Sequence, residues 1–498
     1  MESILNEEKQ MTGTMVKHRL GASSAGAAWD AIKWQTVQTQ VKRLQMRIAK
    51  ATRERRWNKV KALQRLLTSS YYAKLSAVKR VTENRGGKTP GIDNIIWSTS
   101  KQKMEAALSL KKRGYRAKPL KRIYIPKKNK KLRPLSIPCM SERGMQGLYL
   151  LSLEPVVEMI ADKNSYGFRP KRSAADAIEQ CFKCLAQKQA AQFVLEGDIE
   201  ACFDSISHMW LENNIVIDKV MLKKWLDAGY MDKGKFYQMN QGTPQGSLVS
   251  PSILVATMSG LEQAIQAVSK PKDKVNVIVY ADDFIITGAT KELLENKIKP
   301  VVKTFLNERG LNLSLEKTKI SHIQDGFDFL GFNVRKYDQK LLIKPSKANI
   351  KGFLGNIRKT IKSKPNVKTE ELICILNSRI RGWGNYFRHV VSKATYSYLD
   401  FHIFKALWIW SKRRHPDKST NWVRNKYFRS QCMQHWIFHE KTISKEGKLS
   451  NLDLYYMKSI SIKRHVKIRS AATPYDPSFY EYFKNRRDKR CKVEMLGL

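Results

Sequence analysis

Three observations in this sequence predict an α+β fold. Short apolar runs of strand length, at 193–195, 275–279 and 284–287, lie among segments whose apolar residues recur at helical spacing. From about residue 340 the chain turns to amphipathic helices joined by short polar links, around 362–369 and 415–420. Its 498 residues, 42% hydrophobic and 10% aromatic, leave room for about three domains with substantial cores.

Taken in order, residues 1–13 are polar and acidic rather than a signal sequence, and no apolar run reaches the ~20 residues a bilayer needs. Trp34, Val37, Val41, Leu44 and Ile48 mark one helix, and Trp57, Val60, Leu63 and Leu67 a second. Lys and Arg cover their other faces, so the pair reads equally as a solvated hairpin or as one that contacts RNA. Residues 86–91 (Gly-Gly-Lys-Thr-Pro-Gly) form a loop without the spacing of a nucleotide-binding P-loop. Residues 121–138 alternate apolar and basic positions around a basic turn at 127–131, which predicts a hairpin with a positive tip. Cys181 and Cys184 form a lone C-x-x-C inside a helical pattern, with no second ligand pair at zinc spacing, so buried helix cysteines are expected and zinc is not. Ile350, Phe353, Leu354, Ile357 and Ile361 give a helix whose opposite face carries Lys347, Lys351, Arg358, Lys359 and Lys362. The seven cysteines and the missing leader fit a reducing cytoplasm.

Charge narrows the partners. Lys plus Arg total 92 against 44 Asp plus Glu, a net of +48, and the excess is spread along the chain. Residues 401–498 alone carry 22 basic and 8 acidic side chains, interleaved with Trp408, Trp410, Trp422 and Trp436. Such a surface repels itself unless a polyanion supplies counter-charge, which favours nucleic acid over a membrane.

Carboxylates carry the chemistry. In the run 277–286, Asp282 and Asp283 sit between two β-prone segments, so a strand–turn–strand reading places them at a tight turn. Like charges this close raise each other's pKa, and a hard divalent cation relieves the conflict. A second apolar run ends in Glu196, Gly197 and Asp198, followed by Phe203 and Asp204. If the two strands are sheet neighbours, Asp198 and Asp282 face one space that could hold two metal ions about 4 Å apart. Taken alone, each pattern is better explained by an exposed hairpin turn.

The order of these blocks, with their surroundings, resembles reverse transcriptases, closely those encoded by group II introns. The resemblance runs from about Trp34 to Arg487. It passes through Lys88-Thr89-Pro90-Gly91-Ile92-Asp93, Arg122 to Lys127, Arg133 to Pro138, and Tyr166-Gly167-Phe168-Arg169-Pro170. Glu196-Gly197-Asp198, Gly242-Thr243-Pro244-Gln245-Gly246, Tyr280-Ala281-Asp282-Asp283, Glu316-Lys317-Thr318 and Phe329-Leu330-Gly331-Phe332 follow. It implies a right-hand polymerase with fingers, a palm bearing an antiparallel sheet, and a helical thumb. Asp198, Asp282 and Asp283 would be catalytic and would ligate two Mg2+ ions. Lys127 and Arg133 would hold the incoming deoxynucleoside triphosphate. Phe203 would exclude a ribose 2′-hydroxyl, or be an ordinary core residue. Gln245 would contact the nucleotide or the template pair. Lys317 would serve phosphate or proton donation, or simply face solvent. Two positions depart from the family: Glu200-Ala201 stands where Lys-Gly is usual, and Ser247 replaces a second glycine.

The resemblance also implies a division into an N-terminal helical extension (1–80), fingers and palm (81–335), thumb or maturase domain (336–429), DNA-binding region (430–490) and a tail (491–498). The thumb segment 379–387 and Arg414-His415-Pro416 fit the maturase pattern, in which aromatic rings and guanidinium groups suit RNA. Arg169, Lys351, Arg358, Arg381 and Arg414 are the candidate nucleic-acid contacts. Many relatives continue into an HNH nuclease; only residues 491–498 remain here, so no endonuclease is expected and a primer would come from a fork or nick. Expected partners are group II intron RNA, target DNA with its primer, and deoxynucleotides, with no membrane. The rivals are a splicing factor with a silent polymerase, a reverse transcriptase of another element, and a basic nucleic-acid scaffold.

Overall fold

The computed structural model describes residues 22–126, 132–431, 434–443 and 449–495. Five helices open it: α1 (Ala22–Asp30), α2 (Trp34–Arg53), α3 (Trp57–Ser69), α4 (Tyr71–Glu83) and α5 (Ser100–Ser109). The apolar stripes expected on α2 and α3 are buried at Val37, Val41, Leu44 and Ile48 and at Val60, Leu63 and Leu67. They pack on α6 (Met140–Ile160), which is buried along almost its whole length.

Among the described residues eight strands follow before residue 323: β1 (Leu120–Pro126), β2 (Leu132–Ile137), β3 (Phe193–Gly197), β4 (Tyr230–Asp232), β5 (Lys235–Tyr237), β6 (Asn276–Tyr280), β7 (Asp283–Gly288) and β8 (Lys319–His322). They form two four-stranded sheets, ordered β2-β1-β4-β5 and β6-β7-β3-β8. The first contains the expected hairpin, with Lys121 opposite Ile137 and Pro126 opposite Leu132. Its basic tip, Lys127 included, lies outside the described residues.

The second sheet is a wall shared by two cores, because side chains alternate across a strand. Leu195, Val277, Val279, Phe284 and Ile286 face the core built with α2–α6. Val194, Ile278 and Ile285 face the other core, which includes α7 (Ala174–Leu185) and the C-terminal helices. Cys181 is buried in α7, as its helical pattern requires.

A three-stranded antiparallel sheet, β9 (Phe327–Phe329), β10 (Phe332–Tyr337) and β11 (Lys340–Pro345), leads into the thumb. There α8 (Lys347–Lys362), α9 (Thr369–Phe387), α10 (Lys393–Arg414) and α11 (Thr420–Tyr427) precede a last sheet, β12 (Phe428–Gln431), β13 (Gln434–Ile443) and β14 (Leu449–Asp453). Among the described residues, no helix is long and apolar enough to cross a membrane.

The segment between β14 and α12 (Tyr480–Met495) returns across the molecule as a strap. Asp176, at the start of α7, accepts from His465, Arg486 and the Ile468 amide. Arg172 donates to the Ser470 carbonyl, and Tyr475 donates to Glu154 on α6. Arg53 on α2 pairs with Asp476 at 2.6 Å.

One of the candidate nucleic-acid contacts is corrected here. The Arg169 guanidinium is 3% exposed and grips both oxygens of Glu158 at 2.8 Å, together with the carbonyls of Asp162 and Ser165. Its donors are consumed inside the palm, so it holds the fold rather than nucleic acid. Arg414 lies half-buried over the Trp410 ring and donates to the Val367 carbonyl, closing the α8–α9 link onto α10. Lys351, Arg358 and Arg381 stay exposed.

Candidate active site

The hairpin β6–β7 is closed by Ala281 and Asp282, with Tyr280 paired to Asp283. Ala281 adopts a left-handed φ of 61°, a conformation that two-residue hairpin loops require and that a non-glycine residue resists. The segment before α7 holds this loop in place. The Tyr166 amide donates to the Val279 carbonyl, the Val279 amide donates to Asn164, and a Cβ at Gly167 would collide with the backbone nitrogen of Ala281. Only glycine permits that approach.

Register then brings the acids together. Gly197 on β3 lies opposite Phe284 on β7, so the next residue, Asp198, comes opposite Asp283. The two carboxyl groups are within hydrogen-bonding reach. The Asp283 carboxyl is pushed up to about 6, first because surrounding atoms strip its water and then by the charges of Asp282 and Asp198. Asp283 still opens to solvent at its outer edge, which limits the first of these causes. Beneath the acids, burial pushes the Cys202 thiol up, and Asp282, Asp198 and Asp204 push it further. Asp198, Asp282 and Asp283 therefore share one small region, as the two-strand reading required.

Lys317 joins them. Residues 312–314 run beside Asp198, with the Ser314 amide on the Asp198 carbonyl at 2.9 Å and the Glu200 amide on Asn312. The Lys317 ammonium thereby reaches Asp198 Oδ2 at 2.5 Å, and that bond raises its pKa. Among the described residues no group of three or more His, Cys, Asp or Glu is arranged to enclose a metal. The donor chemistry nevertheless fits a hard divalent cation: among the described residues the acids meet as carboxylate oxygens in mutual repulsion, with Lys317 as counter-charge.

A second set of contacts joins the residues expected to hold a nucleotide. Arg133 on β2 donates to Gln245 Oε1 at 3.0 Å, and Gln245 donates to Asp204 Oδ2 at 3.0 Å. The Ser136 amide donates to the Gln245 carbonyl at 2.7 Å, tying the fingers hairpin to the loop 242–246. That loop lies on the short helix Cys202–Ser205, where the Thr243 amide meets the Phe203 carbonyl at 2.5 Å. A Cβ at Gly242 would stand 2.5 Å from the Asp204 backbone, and φ there is 81°. Phe203 is half-buried with its ring edge-on to Phe168, centroids 6.4 Å apart, and Phe168 is 52% exposed. Asp204 as the orienting partner of Gln245 went unread in the sequence, although its place directly after Phe203 was a usable signal.

Both departures from the family pattern have a structural meaning. Ala201 sits at φ 45°, a left-handed position that glycine occupies without strain, and Glu200 beside it is exposed. Ser247 is buried and donates to Gln146 on α6, which also receives the Leu248 amide.

Residues 125–334 match the reverse transcriptase (RNA-dependent DNA polymerase) family, 29–110 the N-terminal domain of reverse transcriptase, and 350–428 the group II intron maturase-specific domain. The chain is 30% identical over 319 residues to protein YkfC of Escherichia coli (strain K12), covering 55% of this chain and 82% of that protein. It is 27% identical over 408 residues to the group II intron-encoded protein LtrA of Lactococcus lactis subsp. cremoris, covering 62% of this chain and 68% of that protein. Among solved structures, telomerase of Candida albicans in complex with a telomeric RNA fragment aligns at 12% identity and TM-score 0.37, over 62% of this chain and 64% of that one. An α+β right-hand polymerase followed by a maturase domain is thus the architecture here, and the chain belongs to the RNA-directed DNA polymerases of the group II intron-encoded reverse transcriptase and maturase family.

Proposed function

We propose that this protein copies its own group II intron RNA into DNA at target sites, using two divalent cations, and that it also binds that RNA to assist splicing. The reading rests on the convergence of Asp198, Asp282 and Asp283 at the end of the palm sheet. These three would hold Mg2+, which when bound supplies an activated 3′-hydroxyl and charge neutralisation at the leaving pyrophosphate. The residues around them do the rest. Lys317 keeps Asp198 oriented before the cations arrive and is then free to turn its ammonium toward a phosphate. Arg133 and Gln245, braced by Asp204, set the floor beneath a nucleotide, and Lys127, next in sequence after β1, would be a second phosphate ligand. The Phe203 and Phe168 rings close the side on which a ribose 2′-hydroxyl would project.

We assign fingers and palm to 81–335, thumb to 336–429 and a DNA-binding role to the exposed basic residues of 430–490. Exposed Lys351, Arg358 and Arg381 would meet intron RNA or the primer–template duplex. Primer extension on an RNA template, with Asp282→Ala as control, tests the polymerase; equal absence of product from both proteins would return the chain to the class of pure splicing factors. Sequencing of RNA that co-purifies tests the partner, and recovery of a lariat intron is the expected outcome.

A further inference from the structure

The outer half of the fingers sheet carries an arrangement that the chemistry above does not use. Arg122 on β1 lays its guanidinium 3.7 Å over the Tyr230 ring on β4, and Tyr230 stacks on Tyr237 of β5, centroids 5.3 Å apart and 15° from parallel. The stack ends open, because Tyr237 is 44% exposed. Arg122 Nε has no hydrogen-bond partner although it is buried. On the same face Tyr124 donates to Asp232, the acidic group there, and Lys235 stands opposite Asp232 in the register.

The β4–β5 turn has a matching peculiarity. Lys233 and Gly234 both take positive φ, 48° and 82°. Tight turns of this type favour Asn or Gly at the first position, so a lysine there is held against its preference and projects a cation at the tip. Where β1 meets β4 lies a cavity of about 480 Å3, lined among others by Asn94, Lys121, Arg122 and Lys233.

Sheet order gives the direction. The substrate-side contacts through Arg133 and Ser136 belong to β2, and the order runs β2-β1-β4-β5. With about 4.8 Å per strand, the stack lies roughly 10–15 Å outward from the nucleotide floor. That is a few nucleotides from the templating position.

We propose that the Arg122–Tyr230–Tyr237 stack is a platform for the unpaired template strand ahead of the active site, with a base on the open Tyr237 face and flanking phosphates on Lys233 and Lys235. A π-face accepts any base, and ammonium groups accept any phosphate, so the platform is indifferent to sequence. This suits an enzyme that must copy a long structured RNA. The position of the platform relative to the template rests on the polymerase reading above.

The test is equilibrium binding of labelled DNA-primer/RNA-template duplexes, blunt or with a six-nucleotide 5′ RNA overhang, at fixed salt. The full-length protein should bind the overhang duplex more tightly. Tyr237→Ala should lose that increment by about fivefold or more, the equivalent of one stacked base, while blunt-duplex binding stays unchanged. Tyr237→Phe should retain it, and joint Lys233→Ser and Lys235→Ser should shrink it and flatten its salt dependence. Wild-type behaviour of Tyr237→Ala on both duplexes, or equal losses on both, overturns the proposal. Asp282→Ala separates the two readings: it should extend nothing yet keep the overhang preference. If the wild type also extends nothing but prefers the overhang, the polymerase reading fails, and what stands is single-strand binding by the stack without its role as a template guide.

Discussion

Two charge clusters lie within the palm and are built in opposite ways. At Glu158, the Arg169 and Arg172 guanidinium groups surround one carboxylate in a sealed interior, with backbone carbonyls taking up further donors. At the hairpin 280–283, three carboxylates are pressed together with one lysine beside them, and the cluster opens to solvent. The first arrangement is sealed from water, with every donor of Arg169 engaged, and serves folding. The second gathers like charges at a surface open to solvent, where a hard cation would relieve their repulsion. Access to solvent and the balance of sign, rather than residue type, separate the two.

The strongest way to break this comparison is to remove one member of each cluster. Asp282→Ala should lower primer extension by about 10²–10³-fold or more, since it removes a fixed charge at the reacting centre. Its unfolding midpoint should hold or rise, because one repulsive partner is gone; a large fall would show that the hairpin charges serve folding after all. Arg169→Ala should do the reverse, costing about 3–5 kcal/mol in chemical denaturation by leaving Glu158 buried without its main partner. Weakened RNA binding by a fully folded Arg169→Ala protein would restore that arginine to the interface.

A pH scan sharpens the same contrast at the joint between palm and thumb. Burial, and secondly His465, hold His389 down to about 4. As pH falls below the ordinary 6.5, the unfolded chain takes up this proton first. The stability His389 contributes is therefore complete above pH 6.5 and is lost as pH drops toward about 4, an effect of about 1–3 kcal/mol. His389→Gln should remove that part of the slope in thermal melts from pH 7 to 4. On the thumb surface, Arg381 is exposed over the Tyr455 ring. Arg381→Ala should alter stability by less than about 1 kcal/mol and reduce the slope of log affinity against log salt for RNA by about 1. The smallest effect belongs to Ala201→Gly, which relieves the left-handed strain at φ 45° and should add about 0.5–1 kcal/mol after the entropy of glycine is counted.

The hairpin was legible in the sequence because its logic is local. Apolar strands with carboxylates at their ends, and a two-residue turn, fix which side chains meet once the strands pair. The helices α2, α3 and α8 were legible for the same reason, each having one apolar stripe. Arg169 was not, because the Glu158 that satisfies it lies eleven residues away on α6 and nothing in the spacing marks the pair. Strands β12–β14 were hidden too: Arg429, Ser430 and Gln431, or Leu449, Ser450 and Asn451, show little of the alternation that a half-buried strand leaves. The ion pair between Asp476 and Arg53 on α2 was equally hidden, because its partners stand 423 residues apart.

The returning strap gives the order of synthesis a bearing on activity. Asp176 begins a palm helix, yet His465, Ile468 and Arg486, which satisfy it, leave the ribosome some 290–310 residues later. Until then the nascent palm carries a carboxylate without its lid. A chain stopped by a premature codon near residue 460 would keep Asp198, Asp282 and Asp283 but lack the strap that Asp176, Arg172 and Glu154 bind, so the palm finishes its packing only when the far end has been made.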